Sequence, residues 1–393
     1  MEDSIAFLVN WFDKLASIER PYRFIYYPYD QSIEIIDLKT RKQALKRIKQ
    51  DAIRQEDLFV GNYLDIYGKR YKITDYADQS TKDQLFSRKE KTFALIKPDA
   101  YQHIGKIFDI IIANGFQINR ALMLRLTPDF AQLLFPQQSQ QQQQQKNQHL
   151  DLIKFLCSDV VVGLEIIGEN SIERMQLIAG PDSPTLARES QDENERMSIR
   201  AVFGTDGMKN AIYVSKDQAG YAKEIETFFN DKLIKDSGAY PAVLNNCTLC
   251  LIKPHAIQQG VSGKIIDKIL EEGFEISALQ TFFLDRTTAE DFFELYKGVL
   301  PDYVSLIDQM VSGPCIALEI RQDNVVGSFK KLCGAYDPRI GASKGREGDT
   351  IRQLYGVDRV RNAVHCTDLA EEGQLECEYF FVLIQEKKVP GTQ

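Results

Sequence analysis

The stretch YGVDRVRNAVH at residues 355–365 repeats, in altered form, the stretch FGTDGMKNAIY at residues 203–213. The glycine, aspartate, asparagine and alanine keep their places, but the last residue is Tyr213 in the first copy and His365 in the second. An imidazole can attack a phosphate and carry it near neutral pH, whereas a phenol with a pKa near 10 is a poor substitute. The pair predicts a duplicated enzyme in which one copy has a working nucleophile.

The duplication extends well beyond this stretch. Three further segments recur in the same order, at offsets of 156, 158 and 154 residues. A repeat of this length is the size of a domain and far longer than the unit of a solenoid. The recurring segments are LIKPDA at 95–100 and LIKPHA at 251–256, GFQI at 115–118 and GFEI at 273–276, and GLEI at 163–166 and ALEI at 317–320.

Strand and helix patterns alternate within each repeat. In the second copy, GKIIDKILEEGF at 263–274 has apolar residues at helical spacing, and a second helix is expected over 287–300, opened by threonines. Alternation of this kind predicts an α/β unit in which helices pack on a sheet. The glutamine tract at 137–145 is expected to form a surface loop. Strands are predicted at CTLCLIKP, EISALQTFFL, CIALEI and RNAVHCTDL, with a further helix at DNVVGSFKKLCG.

Composition narrows the classes of function. The chain has 393 residues, 44% of them apolar, and a net charge of −8, which argues against a general nucleic-acid binder. No apolar run approaches the roughly 20 residues that span a bilayer, and the acidic N-terminus does not resemble a secretion signal. Seven scattered cysteines fit reduced thiols in the cytosol. Cys247 and Cys250 have metal-ligand spacing, but no second pair is nearby, and strand packing is the favoured interpretation.

Residues 1–90 belong to neither repeat and carry short β-rich runs separated by turn residues. Residues 80–91 are polar and charged and are interpreted as a linker. A basic cluster is either a solvated face or a contact for an acidic protein surface such as tubulin. The runs are YRFIYY at 22–27, SIEIIDL at 32–38, LFVGNYLDIY at 58–67 and RYKITDY at 70–76, and the cluster is Arg41, Lys42, Lys46, Arg47 and Lys49.

The chemistry-bearing residues indicate phosphoryl transfer without a P-loop, because no G-x-x-x-x-G-K-[ST] sequence is present. Cations can neutralise a phosphate chain, an imidazole can attack it, and a carboxylate can fix the imidazole tautomer. On residue type alone the evidence for a phosphoryl-transfer site is weak, since a lone histidine is more often structural. The residues concerned are Lys253, Arg352, Asn362, His365 and Glu376.

The ordered motifs resemble those of nucleoside diphosphate kinases. N-A-x-H-C-T-D in the second copy, with I-K-P and S-G-P (312–314) upstream, matches the active-site signature of that family, and the likeness covers both repeats, roughly 91–386. Residues 1–90, with F-V-G-N-x-L-x-I-Y, resemble the DM-ten-type module of a tandem-domain, cilium-associated subgroup. The resemblance implies a small β-rich domain over 1–90, then two ferredoxin-like domains over 91–235 and 245–386.

The resemblance also implies a ping-pong mechanism in which a histidine takes the γ-phosphate of a triphosphate and gives it to a diphosphate, with Mg²⁺ bridging the phosphates. His365 would be the phosphocarrier and Glu376 would support it. No metal ligands are expected from the protein, because the nucleotide phosphates would hold the Mg²⁺. The nucleotide-binding residues implied by the family motifs are Lys253, Tyr296, Tyr303, Lys330, Arg352, Asn362 and Thr367.

Both copies depart from the family pattern. In the second, His255 stands where an aspartate follows I-K-P, Lys330 replaces an arginine, and Tyr336 replaces a threonine. A lysine keeps the charge but loses the bidentate fork of arginine. The first copy has Tyr213 at the position of the nucleophile and Gln176 at the position of the family arginine, so no phosphocarrier activity is expected there. It retains Lys97, Arg200, Asn210 and Glu224.

Two classes of function therefore stay open. The first is a nucleoside diphosphate kinase that works through His365 alone. The second is a catalytically weak or inactive structural protein that binds microtubules, axonemal proteins or γ-tubulin complexes. The resemblance implies nucleotides as ligands, no nucleic acid or membrane partner, and a location in the cytoplasm, the cytoskeleton and the cilium axoneme. Two fused modules could satisfy the family's subunit interface within one chain, which predicts a monomer with an internal pseudo-dimer.

Overall fold

The structure is a computed structural model that describes residues 4–50 except 14, 15 and 17, residues 62–78, 89–137, 143–341 and 350–385, and the single residues 53, 55, 58 and 81. It divides into two compact units, Met1–Lys89 and Glu90–Gln393. Within the described ranges, no helix combines the length and the apolar character needed to cross a membrane.

The first unit is a six-stranded antiparallel sheet with strand order β4-β3-β2-β1-β6-β5. Its core is formed by alternating apolar residues such as Phe7, Phe24 and Ile33, none of which is exposed. Two of the strands, β1 and β4, were not predicted from the sequence. The strands are β1 (Ile5–Asp13), β2 (Ile18–Tyr27), β3 (Ser32–Asp37), β4 (Gln43–Lys49), β5 (Tyr63–Ile66) and β6 (Lys69–Tyr76).

The basic cluster lies on and beside the edge strand β4, whose residues are mostly exposed. Arg47 is exposed but engaged within the unit, because its guanidinium pairs with Asp30 at 2.9 Å and lies 3.7 Å from the ring centroid of Tyr27. Arg41, Lys42 and the other lysines of the cluster project from the exposed part of the sheet.

The first repeat in the second unit has four strands, with helices between them. The first strand of this repeat begins at Lys89. The strands are β7 (Lys89–Ile96), β8 (Gln117–Leu124), β9 (Val161–Glu169) and β10 (Ile212–Val214), and the helices are α1 (Ile104–Ala113), α2 (Pro128–Leu134), α3 (Gln143–Leu156), α4 (Ser171–Ala179), α5 (Pro184–Glu189), α6 (Glu193–Arg196), α7 (Ile199–Phe203), α8 (Gln218–Phe228) and α9 (Asp231–Ser237), with a 3₁₀ turn at Pro98–His103.

The second repeat has the same order of strands and main helices. Its strands are β11 (Cys247–Ile252), β12 (Glu275–Phe282), β13 (Cys315–Arg321) and β14 (Val364–Cys366), and its helices are α10 (Pro254–Gln258), α11 (Ser262–Glu271), α12 (Arg286–Phe292), α13 (Tyr303–Met310), α14 (Val325–Cys333), α15 (Pro338–Gly341), α16 (Ile351–Tyr355) and α17 (Gly373–Glu378), with 3₁₀ turns at Glu294–Tyr296 and Ala370–Glu372 and a π turn at Tyr379–Leu383.

The eight strands form one continuous sheet in the order β10-β7-β9-β8-β12-β13-β11-β14. Each half has the order fourth, first, third, second strand, which is the ferredoxin-like arrangement, and the predicted fold class is confirmed. The halves meet edge to edge where Gln280 pairs with Leu122. The second unit thus contains an internal pseudo-dimer built from the two repeats.

Helices α1 and α11 pack against each other across the junction of the two repeats, on one face of the sheet. A Cβ atom on Gly105 would stand 2.3 Å from the backbone nitrogen of Asp267, and one on Gly263 would stand 2.6 Å from the carbonyl oxygen of Gly105. Glycine is required at both positions because the two backbones approach this closely. Tyr101 adds a direct link, since its hydroxyl donates to the carbonyl of Ile276 at 3.0 Å and accepts from its N–H at 2.8 Å.

Two local predictions differ from the structure, and others fall outside the described residues. The helix predicted over 287–300 begins at Arg286, because Asp285 rather than a threonine caps it by accepting from the N–H of Thr288, and it ends at Phe292. The prediction of a loop over the glutamine tract at 137–145 was wrong for its end, because helix α3 begins at Gln143, while residues 138–142 lie outside the described residues. Most of the linker predicted at 80–91 and the segment 59–61 also lie outside them.

Candidate active site

The backbone before His365 has an unusual conformation that both repeats share. Ala363 has a φ of 67° and Ala211 has a φ of 68°, in the left-handed region that alanine rarely adopts. The carbonyl of Ala363 accepts from the N–H of Lys253 at 2.9 Å, which joins this segment to the end of β11. The turn therefore delivers His365 onto the short edge strand β14 at a fixed register, opposite Leu251.

His365 is held by a carboxylate on helix α17. Its Nε2 lies 3.1 Å from Oε2 of Glu376, and the hydroxyl of Thr367 donates to the same oxygen at 2.8 Å. An ionised carboxylate only accepts hydrogen bonds, so in a neutral imidazole this contact favours the tautomer with the proton on Nε2 and the lone pair on Nδ1. The structure thus brings together three of the residues singled out in the sequence, with Nε2 of the imidazole against the carboxylate and Nδ1 turned away from it.

Aromatic rings surround the imidazole edge-on. The ring centroids of Phe292 and Phe293 each lie 5.4 Å from that of His365, and the centroid of Tyr296 lies at 6.2 Å. The Tyr296 hydroxyl donates to Asp368 at 2.9 Å, and burial together with this carboxylate raises the pKa of that phenol. Packed among these rings, the imidazole is 7% exposed.

Asp368 also anchors Lys330. The Lys330 ammonium lies 2.7 Å from a carboxylate oxygen of Asp368 and donates to its carbonyl at 3.3 Å. Lys330 and Asp368 are each about half-exposed, so solvent reaches this ion pair. Asp368 was not identified from the sequence, although it ends the quoted N-A-x-H-C-T-D motif and that position could have indicated it.

The remaining cations bind the protein's own backbone. Lys253 is 1% exposed and donates to the carbonyl of Val360 at 3.0 Å, and burial beside the Arg352 guanidinium lowers its pKa to about 7. Arg352 donates to the carbonyls of Val364 at 3.3 Å and Gly334 at 2.9 Å. These two side chains hold together the segments that surround the imidazole.

Asn362 is fully buried and donates to the carbonyl of Tyr336 at 2.9 Å, but its side-chain oxygen has no hydrogen-bond partner among the described residues. The Tyr336 hydroxyl is likewise buried and unpartnered within that part of the chain. Unsatisfied buried polar atoms are costly, and they are common where a ligand completes the hydrogen bonding.

A cavity of about 420 Å³ opens beside this cluster, in the size range of small-molecule sites. Both polar side-chain atoms of Gln309 at its wall are buried without a partner in the described residues. Arg359 forms an ion pair with Asp302 across it at 3.2 Å. The cavity is lined by Asp302, Gln309, Arg339, Asp358, Arg359, Val360 and Arg361.

Tyr303 lies outside this cavity. Its hydroxyl donates to the carbonyl of Glu290 at 3.5 Å, and its ring packs on the apolar cluster under α12 and α13. The neighbouring Asp302 faces the cavity instead. The arginines of the lining were missed from the sequence. Only Arg359 and Arg361 have a distinguishing feature, which is that they cluster before Asn362.

His255 occupies the place of Asp99 in the first repeat. Nε2 of His255 accepts the N–H of Ala363 at 3.2 Å, just as the Asp99 carboxylate accepts the N–H of Ala211 at 3.0 Å. Burial and the nearby Lys253 and Arg361 lower the pKa of His255 to about 4, so it is neutral and can accept. The departure from the family motif therefore preserves the hydrogen bond and removes a negative charge.

In the first repeat the same framework surrounds a phenol. The hydroxyl of Tyr213 donates to Glu224, which also accepts from Ser215, and burial with this carboxylate raises the pKa of Tyr213. Gln176 binds the carbonyls of Ser215 at 3.0 Å and Lys216 at 2.8 Å in place of a cation. The site retains its shape but has no nucleophilic nitrogen at this position.

Comparison with known protein families accounts for both repeats. The model of the nucleoside diphosphate kinase family matches residues 90–234 and 246–385, which together make up most of the chain. The chain belongs to the nucleoside diphosphate kinase family. The likeness continues over the first unit, because "Nucleoside diphosphate kinase homolog 7" of Rattus norvegicus is 40% identical over 385 residues, covering 97% of this chain and 94% of that protein. The mouse protein of the same name is also 40% identical.

Single-domain nucleoside diphosphate kinases align with about one repeat. The nucleoside diphosphate kinase of Chloroherpeton thalassium is 37% identical over 134 residues, covering 34% of this chain and 91% of the bacterial protein. Among solved structures, that of the Aquifex aeolicus nucleoside diphosphate kinase is 35% identical and covers 36% of this chain and 96% of its own, with a TM-score of 0.33. The two matches of the family model correspond to two nucleoside diphosphate kinase domains in this chain.

Proposed function

We propose that the second repeat is a working nucleoside diphosphate kinase whose phosphocarrier is His365. The lone pair on Nδ1 attacks the γ-phosphorus of a nucleoside triphosphate, the bond to the bridging oxygen breaks, and the nucleoside diphosphate leaves. A terminal oxygen of a second diphosphate then attacks the phosphohistidine, and breaking the P–N bond restores the imidazole. The observation that carries this proposal is the contact between Nε2 of His365 and Glu376, because it favours the neutral tautomer whose lone pair is on Nδ1.

The surrounding residues are assigned supporting roles. Lys253 and Arg352 supply positive potential beneath the phosphates, and Asn362 has a free buried acceptor for a ribose hydroxyl. Lys330, partly exposed, reaches the phosphate chain by exchanging Asp368 for it. The cavity bounded by Asp302 and Arg359 is proposed to admit the nucleoside, which requires their ion pair to open.

Mg²⁺ is proposed to bind as part of the nucleotide complex. The carboxylates nearest His365 are engaged, Glu376 with His365 and Thr367, and Asp368 with Tyr296 and Lys330. Phosphate oxygens and water are ligands that suit this hard cation. Bound in this way, it neutralises charge on the phosphate chain.

The experiment that tests the proposal is formation of an acid-labile phosphoenzyme from γ-labelled ATP and Mg²⁺ by the full chain. We expect label on the wild type and on Tyr213→Phe, and none on His365→Ala. Chase with a nucleoside diphosphate should release the label as a triphosphate. Absence of label on folded wild type would reject the kinase function, and label on His365→Ala would place the phosphate elsewhere.

A second function, association with microtubules in the cytoplasm or the cilium axoneme, is favoured by one observation. The first unit presents the exposed basic edge strand β4, and tubulin has an acidic surface that such a strand suits. The likeness to the tandem, cilium-associated subgroup points the same way. The two functions are compatible, and if the phosphoenzyme does not form, binding becomes the leading proposal.

Co-sedimentation with microtubules at low and high salt tests this second function. Reversing three exposed charges, in Arg41→Glu, Lys42→Glu and Lys46→Glu together, should abolish binding without altering the phosphoenzyme assay. A matched control reverses three exposed lysines of the other unit: Lys223→Glu, Lys232→Glu and Lys235→Glu. If the two triple variants bind microtubules equally well, β4 is not the contact.

A further inference from the structure

A buried carboxylate in the second repeat lacks the positive charges that its counterpart has. Glu319 on β13 is 0% exposed and accepts hydrogen bonds from the N–H groups of Val243 at 2.8 Å and Leu244 at 2.6 Å and from the Ser277 hydroxyl at 2.6 Å. Among the described residues, no lysine, arginine or histidine pairs with it. Burial of an unpaired charge is expensive, so this arrangement requires an explanation.

The first repeat shows the usual arrangement. Glu165 is the corresponding residue on β9, and it pairs with Lys91 at 3.5 Å and Arg120 at 3.1 Å. At the offsets of the repeat, Lys91 corresponds to Cys247 and Arg120 to Ala278. The second repeat has therefore kept the buried carboxylate and lost both of its cationic partners.

Two thiols lie beside this carboxylate, and one of them, that of Cys247, replaces a cation of the first repeat. The sulfur atoms of Cys247 and Cys377 and a carboxylate oxygen of Glu319 all lie within 4.8 Å of one another, and all three residues are buried. Residue 377 corresponds to Ile225 in the first repeat, so the second thiol is also specific to the second repeat.

The fold explains why these groups converge. Leu249 pairs with Glu319 across β11 and β13, and Cys247 lies two residues earlier on β11, so its side chain points to the same face as that of Glu319. Helix α17 covers that face closely, because a Cβ atom on Gly373 would stand 2.4 Å from the carbonyl oxygen of Cys247. Cys250 packs in the core on the opposite face, so the Cys247-x-x-Cys250 spacing is not the basis of this cluster.

We propose that Cys247, Cys377 and Glu319 bind a thiophilic divalent cation, for which Zn²⁺ is the probe. Zinc takes thiolate sulfur at about 2.3 Å and carboxylate oxygen at about 2.0–2.2 Å, so ligand atoms around one ion lie roughly 3.5–3.8 Å apart, within reach of this cluster. Binding releases two thiol protons to solvent. The cation stands beside the Glu319 carboxylate on the side where the first repeat places Lys91, and water completes the coordination.

The site would act on the candidate active site through helix α17. Cys377 directly follows Glu376, the residue that holds Nε2 of His365. A cation that ties Cys377 to β11 and β13 fixes the position of this helix, and with it the carboxylate. The role is structural, and it holds whether or not His365 transfers phosphate.

The test is Co²⁺ and Zn²⁺ binding by the full chain, stripped with a chelator and kept reduced with a phosphine. Wild type should bind one equivalent of Co²⁺, with the intense near-ultraviolet absorption of sulfur-to-cobalt charge transfer, and Zn²⁺ should displace it. Loss of a second-shell partner costs 10–100-fold in affinity, so removing a ligand in Cys377→Ser or Glu319→Gln should weaken binding by about a hundredfold or more. The buried cysteines in Cys250→Ser and Cys333→Ser are matched controls that should bind as wild type.

One substitution keeps the test decisive if a serine variant fails to fold. Cys247→Lys introduces the residue that the first repeat uses to neutralise its carboxylate, so the protein should fold without metal and bind no Co²⁺. Zn²⁺ should raise the melting temperature of wild type and not that of Cys247→Lys. The proposal is overturned if reduced wild type binds no Co²⁺, if its spectrum lacks the charge-transfer absorption, or if Cys247→Lys binds as wild type does.

Discussion

Glu376 holds Nε2 of His365 at 3.1 Å and, in the other repeat, Glu224 holds the hydroxyl of Tyr213 from the corresponding position. The carboxylate and its helix are thus the constant part of the framework, and the group that it orients is the variable part. This relationship separates the effect of the carboxylate on chemistry from its effect on packing, because the same substitution can be made in both repeats.

Glu376→Gln should reduce the rate of phosphotransfer by about 10- to 100-fold. A hydrogen bond to a charged group contributes roughly 1.5–3 kcal/mol, and glutamine can also present its amide nitrogen, which would favour the wrong imidazole tautomer. The measurement is the rate of labelled phosphoenzyme formation. Glu224→Gln is the matched control and should leave this rate unchanged; an equal loss in both variants would contradict the orienting role.

Nucleotide binding to the second repeat should take up protons above neutral pH. Because burial and the Arg352 guanidinium lower the pKa of Lys253 to about 7, its amine is mostly neutral at about pH 8, and an adjacent phosphate favours the charged form. At about pH 6 the amine is already charged, so uptake should vanish. Calorimetry in two buffers of different ionisation enthalpy measures this uptake.

Lys97 provides the control for that measurement, since burial lowers its pKa to about 8 in the first repeat. Lys253→Met should lose the proton uptake, and Lys97→Met should keep it. Binding heats that do not depend on the buffer at either pH would show that the phosphates do not approach Lys253. Loss of uptake in Lys97→Met alone would place the nucleotide in the first repeat.

His255 should make the folded state sensitive to acid. Its pKa is lowered from 6.5 to about 4 in the folded state, so between these values the unfolded chain binds more protons and stability falls as pH decreases. Asparagine can still accept the N–H of Ala363 and does not titrate. Urea unfolding of His255→Asn should therefore lose less stability between about pH 7 and pH 4, by an amount on the order of 2–3 kcal/mol.

The partly exposed His149 on helix α3 supplies the comparison for His255. Carboxylates also titrate in this range, so the informative quantity is the difference between each variant and wild type across the same pH interval. His149→Asn should follow the wild-type curve. A His255→Asn curve that runs parallel to wild type would mean that His255 titrates normally in the folded protein.

The repeat made the fold of the second unit predictable, because recurring strand segments fix the order of elements twice. The first unit was harder. Strand β1, with the sequence IAFLVNWFD, does not alternate strictly between apolar and polar residues, and β4 is a charged edge strand whose exposed residues carry no apolar alternation. An alternating apolar pattern arises only where one face of a strand is buried. Strand β4 pairs with β3 on one side and is mostly exposed, so its sequence lacks that pattern.

The candidate site was predictable where the motif is contiguous. His365, Thr367 and Glu376 lie close in sequence, whereas Asp368 meets Lys330 and Tyr296 across 38 and 72 residues. Such contacts depend on how the helices pack, which spacing does not encode. The burial of Lys253 and Arg352 also had no local signal, because a buried cation and an exposed one look the same in sequence.

A single methyl group placed between helices α1 and α11 should destabilise the junction of the two repeats. In Gly105→Ala the new Cβ would stand 2.3 Å from the nitrogen of Asp267, a backbone atom that cannot move without shifting its helix. We expect a loss of about 1–3 kcal/mol in the free energy of unfolding, from the steric cost of overpacking. Gly327→Ala, in helix α14 with nothing within 4 Å, is the matched control and should gain about 0.5–1 kcal/mol from helix propensity.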